Sequence, residues 1–169
     1  RPEFGFLMEE SGEEVGSQPQ NRWLVDPLDG TTNFIHGLPM YSVSVGLSKN
    51  NEIIAGVVYI PSLKECFHAY QNGGAFLNDK KIQVSKTEKL SDTLIATGFP
   101  YYDFGKMDGY LQVLKYLLQN TRGMRRMGSA AIDLAYVACG RFDSFFEYSL
   151  HPWDVAAGSL LVKEAGGFV

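Results

Sequence analysis

The sequence predicts an α+β protein in which an antiparallel sheet comes first and alternating strands and helices follow. Between residues 41 and 84, short apolar runs alternate with Asn- and Gly-rich turns, which is the pattern of strands joined by hairpins. After Ser91, short apolar runs alternate with stretches that carry apolar side chains at helical spacing. Strands followed by strand–helix alternation are typical of layered folds.

The first half of the chain, residues 1–93, is predicted to form the antiparallel meander. An apolar stretch at 6–8 begins it, and the polar segment at 13–22 is expected to be a loop before a strand at 23–26. Further strands are expected over 41–48, 53–60, 65–70, 75–77 and 82–84. Consecutive strands joined by such short turns pair in the antiparallel sense.

The second half, residues 94–169, is predicted to alternate strands and helices within the same single domain. Strands are expected over 94–97, over a short stretch that ends with 124–127, and over 143–147. Helices are expected over 107–118, 129–139 and 152–165. Pro152 suits the first position of the last helix, where its missing N–H costs nothing. Gly166 and Gly167 are then expected to end this helix.

The bulk composition excludes several classes of function. A chain of 169 residues suits one domain, and its net charge of −4 argues against direct binding of nucleic acid or of an anionic membrane. Cys66 and Cys139 have neither metal nor redox spacing, so free thiols of a reducing compartment are expected. Because no apolar run reaches about 18–20 residues, a cytoplasmic protein without a membrane span is expected.

The most informative segment is the end of the strand at 23–26, where two aspartates follow one another closely. Pro27 and Leu28 separate Asp26 from Asp29, and a Gly-Thr-Thr run able to start a helix comes next. Carboxylate oxygens suit Mg²⁺, and a helix start suits phosphate. The same residues also make a good turn, and Asp29 or Thr31 could be no more than a helix N-cap.

Two further acidic junctions accompany this segment. Glu9 and Glu10 end the first apolar stretch, and Asp154 lies in the first turn of the last helix. Taken singly, adjacent glutamates are most often solvated, and an aspartate in a first helical turn most often interacts with the helix dipole. Three acidic junctions, each beside the end of an apolar strand or helix, favour a metal-dependent phosphatase site.

With these motifs the sequence resembles the inositol monophosphatase family of Mg²⁺-dependent, Li⁺-sensitive phosphatases. Residues 26–33 match the first family motif, and residues 153–158 match the second. Residues 9–11 correspond to the acidic motif that precedes both, with Met8 where many members have glycine. The resemblance implies a layered αβαβα sandwich. Family members are longer, so we expect an internal segment, truncated at both ends, of a protein that is a homodimer at full length.

The resemblance implies two or three Mg²⁺ ions and a set of catalytic residues. The expected metal ligands are Glu9, Asp26, the Leu28 carbonyl, Asp29 and Asp154, with Asp26 shared between two ions. Thr31 is expected to orient the attacking water, and the N–H groups of Gly30 and Thr31 to face phosphate oxygens. Without cations, carboxylates grouped in this way would raise one another's pKa values.

The resemblance also implies residues that contact the substrate. These are Asp29, the segment Gly128, Ser129 and Ala130, and Glu147 as the acceptor of a ring hydroxyl. A solvated acid at a strand end is the alternative for Glu147. Arg125 and Arg126 suggest phosphate binding, but a surface ion pair is expected for one of them. His151 is expected to cap the last helix rather than to line the pocket.

The function implied by the resemblance is hydrolysis of inositol monophosphate to inositol and phosphate by metal-activated water. Related enzymes act on 3′(2′),5′-bisphosphate nucleotides or on fructose bisphosphate, and these substrates are the nearest alternatives. From a different class, the chain could be a regulatory binding module that associates with the transcription machinery. The expected partner is otherwise a small phosphate monoester.

Overall fold

The computed structural model describes residues 3–100 and 103–169, in which two sheets and four α-helices are formed. The strands are β1 (Phe4–Met8), β2 (Gly12–Glu14), β3 (Gln18–Asp29), β4 (Ser42–Lys49), β5 (Glu52–Ile60), β6 (Glu65–Tyr70), β7 (Gly74–Leu77), β8 (Lys80–Lys81), β9 (Leu94–Thr97), β10 (Gly123–Arg125) and β11 (Ser144–Phe146). The helices are α1 (Thr31–Ile35), α2 (Met107–Asn120), α3 (Ala130–Ala138) and α4 (Pro152–Glu164), with a 3-10 turn at Leu90–Asp92.

The larger sheet has the strand order β2-β1-β3-β4-β5-β6-β7-β8. From β3 to β8 each strand pairs with the next in the antiparallel sense, which confirms the predicted meander. The pairing of β1 with β3 is parallel and sets Met8 opposite Val25. Because parallel strands end at the same edge of a sheet, the acids that follow β1 lie beside the aspartates at the end of β3.

Two predicted boundaries in the meander are wrong. The segment at 13–22 is not a loop, because β2 and the first part of β3 lie within it. Its polar residues satisfy their backbone groups by pairing with β1 and β4, which polar composition alone does not reveal. The strand expected at 82–84 is replaced by β8, and beyond it the Val84 N–H donates to the Ala165 carbonyl at 3.1 Å.

The smaller sheet and the helices form the rest of the layered α+β fold, whose predicted class is confirmed. The smaller sheet has the order β10-β9-β11 with parallel pairs. Helices α3 and α4 lie between the two sheets, and α2 packs on β10 at the other side of the smaller sheet. This arrangement gives four successive layers and agrees with the predicted sandwich without its first helical layer.

Close helix packing depends on small residues at two contacts. A Cβ atom on Gly56 of β5 would lie 2.8 Å from the Ala157 Cα, so α4 sits directly on the larger sheet. A Cβ atom on Gly158 would lie 2.5 Å from the Leu134 Cβ, so α3 and α4 also meet closely. All nine residues of α3 are buried. This tight core fixes the amino-terminal ends of both helices relative to the sheet.

No helix within the described residues combines the length and the apolar character needed to cross a membrane.

Candidate active site

A cavity of about 530 Å³ lies where the carboxyl ends of β1 and β3 meet the amino-terminal ends of α1, α3 and α4. All of the candidate site residues predicted from the sequence line it: Glu9, Asp26, Leu28, Asp29, Gly30, Thr31, Gly128, Ser129, Ala130, Glu147 and Asp154. The fold therefore brings these residues together, although they come from both halves of the chain. Their individual roles stay predictions.

Asp26 is the most deeply buried acid of the predicted metal set, with 2 % of its surface exposed. Its Oδ1 accepts a hydrogen bond from the Leu28 N–H at 2.9 Å. Glu9 lies beside it because the Glu9 N–H donates to the Val25 carbonyl at 3.3 Å and so continues the parallel pairing. Burial raises the pKa of Asp26 to about 8, and the charges of Asp29 and Glu9 add to the shift.

Asp29 is held by the first turn of α3. Its Oδ2 accepts hydrogen bonds from the Ser129 hydroxyl at 2.6 Å and from the Ala131 N–H at 2.8 Å. Burial raises the pKa of Asp29 to about 6, and the charge of Asp154 adds to the shift, although these two hydrogen bonds oppose it. The Asp29 carboxylate therefore joins the end of β3 to α3 and does not cap the helix that follows it.

Thr31 is the first residue of α1, and the N-cap position is taken by Gly30. The Thr31 hydroxyl donates to the Leu28 carbonyl at 2.9 Å. The interpretation of Thr31 as an N-cap is therefore wrong. Gly30 has a φ of 90°, and a Cβ there would lie 2.8 Å from the Met40 carbonyl oxygen, so only glycine suits this turn.

Asn33, the last residue of the first motif, has a structural part in the site. Its Nδ2 donates to the Met40 carbonyl at 2.6 Å and to the Met127 carbonyl at 2.8 Å. These bonds join α1 to the segment that leads from β10 into α3. Gly128 packs directly on this amide, because a Cβ atom on Gly128 would lie 2.8 Å from the Asn33 Nδ2. The Asn33 side chain therefore fixes the predicted substrate segment beside α1.

Asp154 lies in the first turn of α4, as predicted. Its Oδ2 accepts a hydrogen bond from the His151 N–H at 2.7 Å, and burial raises its pKa. His151 occupies the N-cap position, stacks on the Trp153 ring at 4.7 Å between centroids, and also lines the cavity. His151 therefore lies at the N-cap of the last helix, as expected, and also lines the cavity, which was the less favoured alternative.

Glu147 follows β11 and lines the cavity with Gly98, Arg126 and Asp133, a group of residues that we call its inner end. It is half-buried and lines the cavity, which argues against the alternative of a solvated acid at a strand end. Burial raises the pKa of Glu147 to about 7, while the nearby Arg126 opposes the shift. Arg126 lies 5.4 Å from the centroid of the Phe99 ring within the same cavity, whereas Arg125 is exposed and donates to the Met124 carbonyl.

Sequence reasoning missed two residues of this inner end. Asp133 in α3 is 1 % exposed, and its pKa is raised to about 8 by burial and by the charges of Glu147 and Asp29. Gly98 lies against Glu147, because a Cβ atom there would overlap the Glu147 carboxylate. In the sequence, Asp133 stands out as a lone acid in an otherwise apolar helix. Nothing in the sequence marks Gly98 as a residue of the site.

The donor set of the cavity fits Mg²⁺ by its chemistry. Carboxylate and carbonyl oxygens are the ligands that this ion prefers. The pKa values of Asp26 and Asp29 are raised chiefly by burial, and neighbouring carboxylates add to both shifts. In the described part of the chain, no three His, Cys, Asp or Glu side chains are grouped as a metal site. Protein N–H and O–H donors hold one oxygen each of Asp26, Asp29 and Asp154.

Comparison with known proteins agrees with this geometry. The model of the inositol monophosphatase family matches residues 1–169. The chain belongs to the inositol monophosphatase family. Within that family, an inositol-1-monophosphatase from Mesorhizobium japonicum is 50 % identical over 169 residues, which are 100 % of this chain and 64 % of that protein. A putative Nus factor SuhB from Neisseria meningitidis serogroup B is 47 % identical over 168 residues, 99 % of this chain and 64 % of that protein.

The same family fold is seen in a solved structure. The extragenic suppressor protein suhB from Bartonella henselae superposes with a TM-score of 0.96 at 51 % identity, covering 99 % of this chain and 64 % of that one. The chain thus spans about 64 % of the length of the curated inositol monophosphatase relative it matches. This chain therefore has the fold of the corresponding part of its relatives in the family.

Proposed function

We propose that the protein is a Mg²⁺-dependent phosphatase that hydrolyses inositol monophosphate to inositol and phosphate. The observation that carries the proposal is the convergence on one cavity of Glu9 after β1, Asp26 and Asp29 of β3, and Asp154 of α4. Among the described residues that line this cavity, Arg126 is the sole Lys or Arg. So many acids around one cavity favour a site whose positive charge comes from bound cations.

Bound Mg²⁺ supplies the charge that acidifies water and offsets the negative charge of a phosphate monoester. The residues that would hold it are Glu9, Asp26, the Leu28 carbonyl, Asp29 and Asp154. The Thr31 oxygen, which donates its proton to the Leu28 carbonyl, keeps lone pairs that can accept a hydrogen bond from the attacking water. The family resemblance supports two or three ions and inhibition by Li⁺.

The inner end of the cavity supports a polyol substrate with one phosphate. Glu147 can accept a hydrogen bond from a ring hydroxyl, and a carboxylate to hydroxyl bond is a charge-assisted one. A second phosphate placed at the same end would meet the like charge of the Glu147 carboxylate. This distribution disfavours bisphosphorylated nucleotides and fructose bisphosphate relative to inositol monophosphate.

Substitution of the proposed shared ligand tests the function. Asp26→Asn should lower kcat/KM for inositol monophosphate by far more than tenfold, because it removes the proposed shared ligand. A tenfold loss corresponds to only about 1.4 kcal/mol. The matched control is Asp108→Asn, which removes one exposed carboxylate from α2 and should leave the rate unchanged. A rate above about one-tenth of wild type in Asp26→Asn would contradict the proposal.

A second candidate function rests on the relative that is named a putative Nus factor SuhB. In that case the chain would act as a regulatory module that binds components of the transcription machinery. A pull-down with those components separates the two functions. Retention of the partner by Asp26→Asn, when hydrolysis is lost, would show that binding does not depend on catalysis.

The proposed cellular setting is the cytoplasm. Cys66 and Cys139 are free thiols, which suits a reducing cytoplasm. The family resemblance supports a homodimer at natural length. The net charge of −4 argues against direct binding of nucleic acid or of an anionic membrane.

A further inference from the structure

Asp133 is an acid that the proposed mechanism does not use. It lies in the first turn of α3 with 1 % of its surface exposed, yet it borders the cavity. Its Oδ1 has no hydrogen-bond partner in the described part of the chain. A buried carboxylate oxygen without a donor is costly, so its place in the molecule needs a reason.

The charged groups that interact with Asp133 come from three separate segments around the cavity. Glu147 follows β11, Asp29 ends β3, and Arg126 follows β10. Asp133 and Glu147 are thus two acids that interact with one guanidinium group. In a site of low dielectric constant, both acids cannot be charged without repulsion that a single guanidinium offsets only in part.

We propose that Asp133 is a positioning residue that carries a proton in the working enzyme and thereby leaves Arg126 to Glu147. With Asp133 neutral, the guanidinium favours the ionised form of Glu147, which is the form that accepts a hydrogen bond from a substrate hydroxyl. When Asp133 ionises, its charge competes for Arg126 and repels Glu147. Burial and the neighbouring acids support this assignment, since they raise the pKa of Asp133 to about 8.

The assignment has a consequence for substrate binding, and this part rests on the proposed function. Above pH 8, the KM for inositol monophosphate should rise several-fold in the wild-type protein, because the charged Asp133 disturbs the acceptor. Asp133→Asn keeps the shape of a protonated acid and removes the ionisation. Its KM should stay within about twofold of the wild-type value at pH 7, a small change on the scale of 1.4 kcal/mol per tenfold, and should not rise above pH 8.

The measurement is the pH dependence of KM and kcat for both proteins at natural length, with Asp108→Asn as a control for removal of an exposed charge. A merely structural role for Asp133 would change stability without changing the pH profile of KM. An equal rise of KM in Asp133→Asn and in the wild type would overturn the proposal.

Thermal unfolding tests the same assignment without any activity. The pKa of Asp133 is about 8 in the folded protein and 3.8 as its ordinary value, so the folded state binds the proton more tightly between these values. Stability from this proton is present at low pH and is lost as pH rises from about 4 to about 8. The Tm of the wild type should therefore fall more steeply over that range than the Tm of Asp133→Asn.

The two readouts separate failure of this inference from failure of the proposed function. Different Tm profiles with no measurable hydrolysis would support the protonated Asp133 and contradict the phosphatase. Parallel Tm profiles of wild type and Asp133→Asn would overturn the protonated Asp133, whatever the activity.

Discussion

At the scale of single residues, the acids of the cavity differ because their neighbours differ. Asp29 accepts hydrogen bonds from Ser129 and Ala131, and its pKa rises only to about 6. Asp133 has a carboxylate oxygen without a donor in the described part of the chain, and its pKa rises to about 8. Hydrogen bonds to the charged form offset part of the cost of burial, so the pKa of Asp29 rises less than the pKa of Asp133.

Gly98 shows that an absent side chain can shape a binding site. Gly98→Ala would place a methyl group on the Glu147 carboxylate, so Glu147 must turn away. We expect the KM for inositol monophosphate to rise by about tenfold, because a charge-assisted hydrogen bond is worth on the order of 1.5–3 kcal/mol, with a smaller change in kcat. Steady-state kinetics of the variant measure both effects.

The matched control for this substitution is Gly109→Ala. Gly109 lies on α2, is exposed, and has nothing within 4 Å of an added Cβ. This variant should keep its kinetics, and its stability should rise by roughly 0.5–1 kcal/mol, because alanine is the better helix former. An unchanged KM in Gly98→Ala would show that Glu147 does not contact the substrate.

At the scale of elements, the first turn of α3 has two tasks. Ser129 is its N-cap and accepts a hydrogen bond from the Ile132 N–H at 3.3 Å. The same hydroxyl donates to Asp29 at 2.6 Å. The Ser129 side chain therefore both caps α3 and holds the Asp29 carboxylate, and this couples the stability of the helix to the site.

Ser129→Ala should affect both tasks. Loss of the N-cap is expected to cost about 1 kcal/mol of unfolding free energy, measured by urea denaturation. Loss of the hydrogen bond to Asp29 should raise the pKa of Asp29 further, because that bond lowers it. The acid limb of the kcat/KM profile should therefore move to higher pH.

The control for this variant is Ser129→Thr, which retains a hydroxyl. It should restore much of the stability and the acid limb, whereas the same acid limb in all three proteins would argue against a role for Asp29 in catalysis. A second outcome, a stability loss without any change in the pH profile, would restrict Ser129 to helix capping.

At the scale of the whole molecule, the clustered carboxylates should make stability depend on pH and on Mg²⁺. The pKa of Asp26 is raised from 3.8 to about 8, so stability is lost as pH rises through this range and Asp26 ionises. A ligand that binds the folded form raises Tm by mass action. Mg²⁺ should therefore raise Tm by several degrees at pH 8 and by much less at pH 5, measured by calorimetry.

Two controls make this prediction specific. KCl at the same ionic strength should reproduce little of the shift, because screening alone does not require the cavity. Asp26→Asn should show a reduced response to Mg²⁺. An equal response in wild type and in Asp26→Asn would place the stabilising ion elsewhere on the protein.

Most elements of the fold could be predicted from local pattern, and the errors have a common cause. Strand β6 and strand β9 have the predicted bounds, because apolar alternation and flanking turns mark them. The segment at 13–22 was predicted as a loop, because its residues are polar, yet sheet pairing with β1 and β4 makes it extended. The backbone pairing of a strand at a sheet edge can hardly be recognised from the polarity of its residues.

The acid motifs were determined by the sequence alone, because each is a short run at the end of a strand or helix. Asp26, Asp29 and Asp154 could be proposed without coordinates for that reason. The tertiary structure alone decided that Asp29 is held by Ser129, 100 residues away, and that Asp133 lies near Glu147 and Arg126. Burial, pKa shifts and an unpartnered oxygen depend on contacts between distant segments, and no local pattern encodes them.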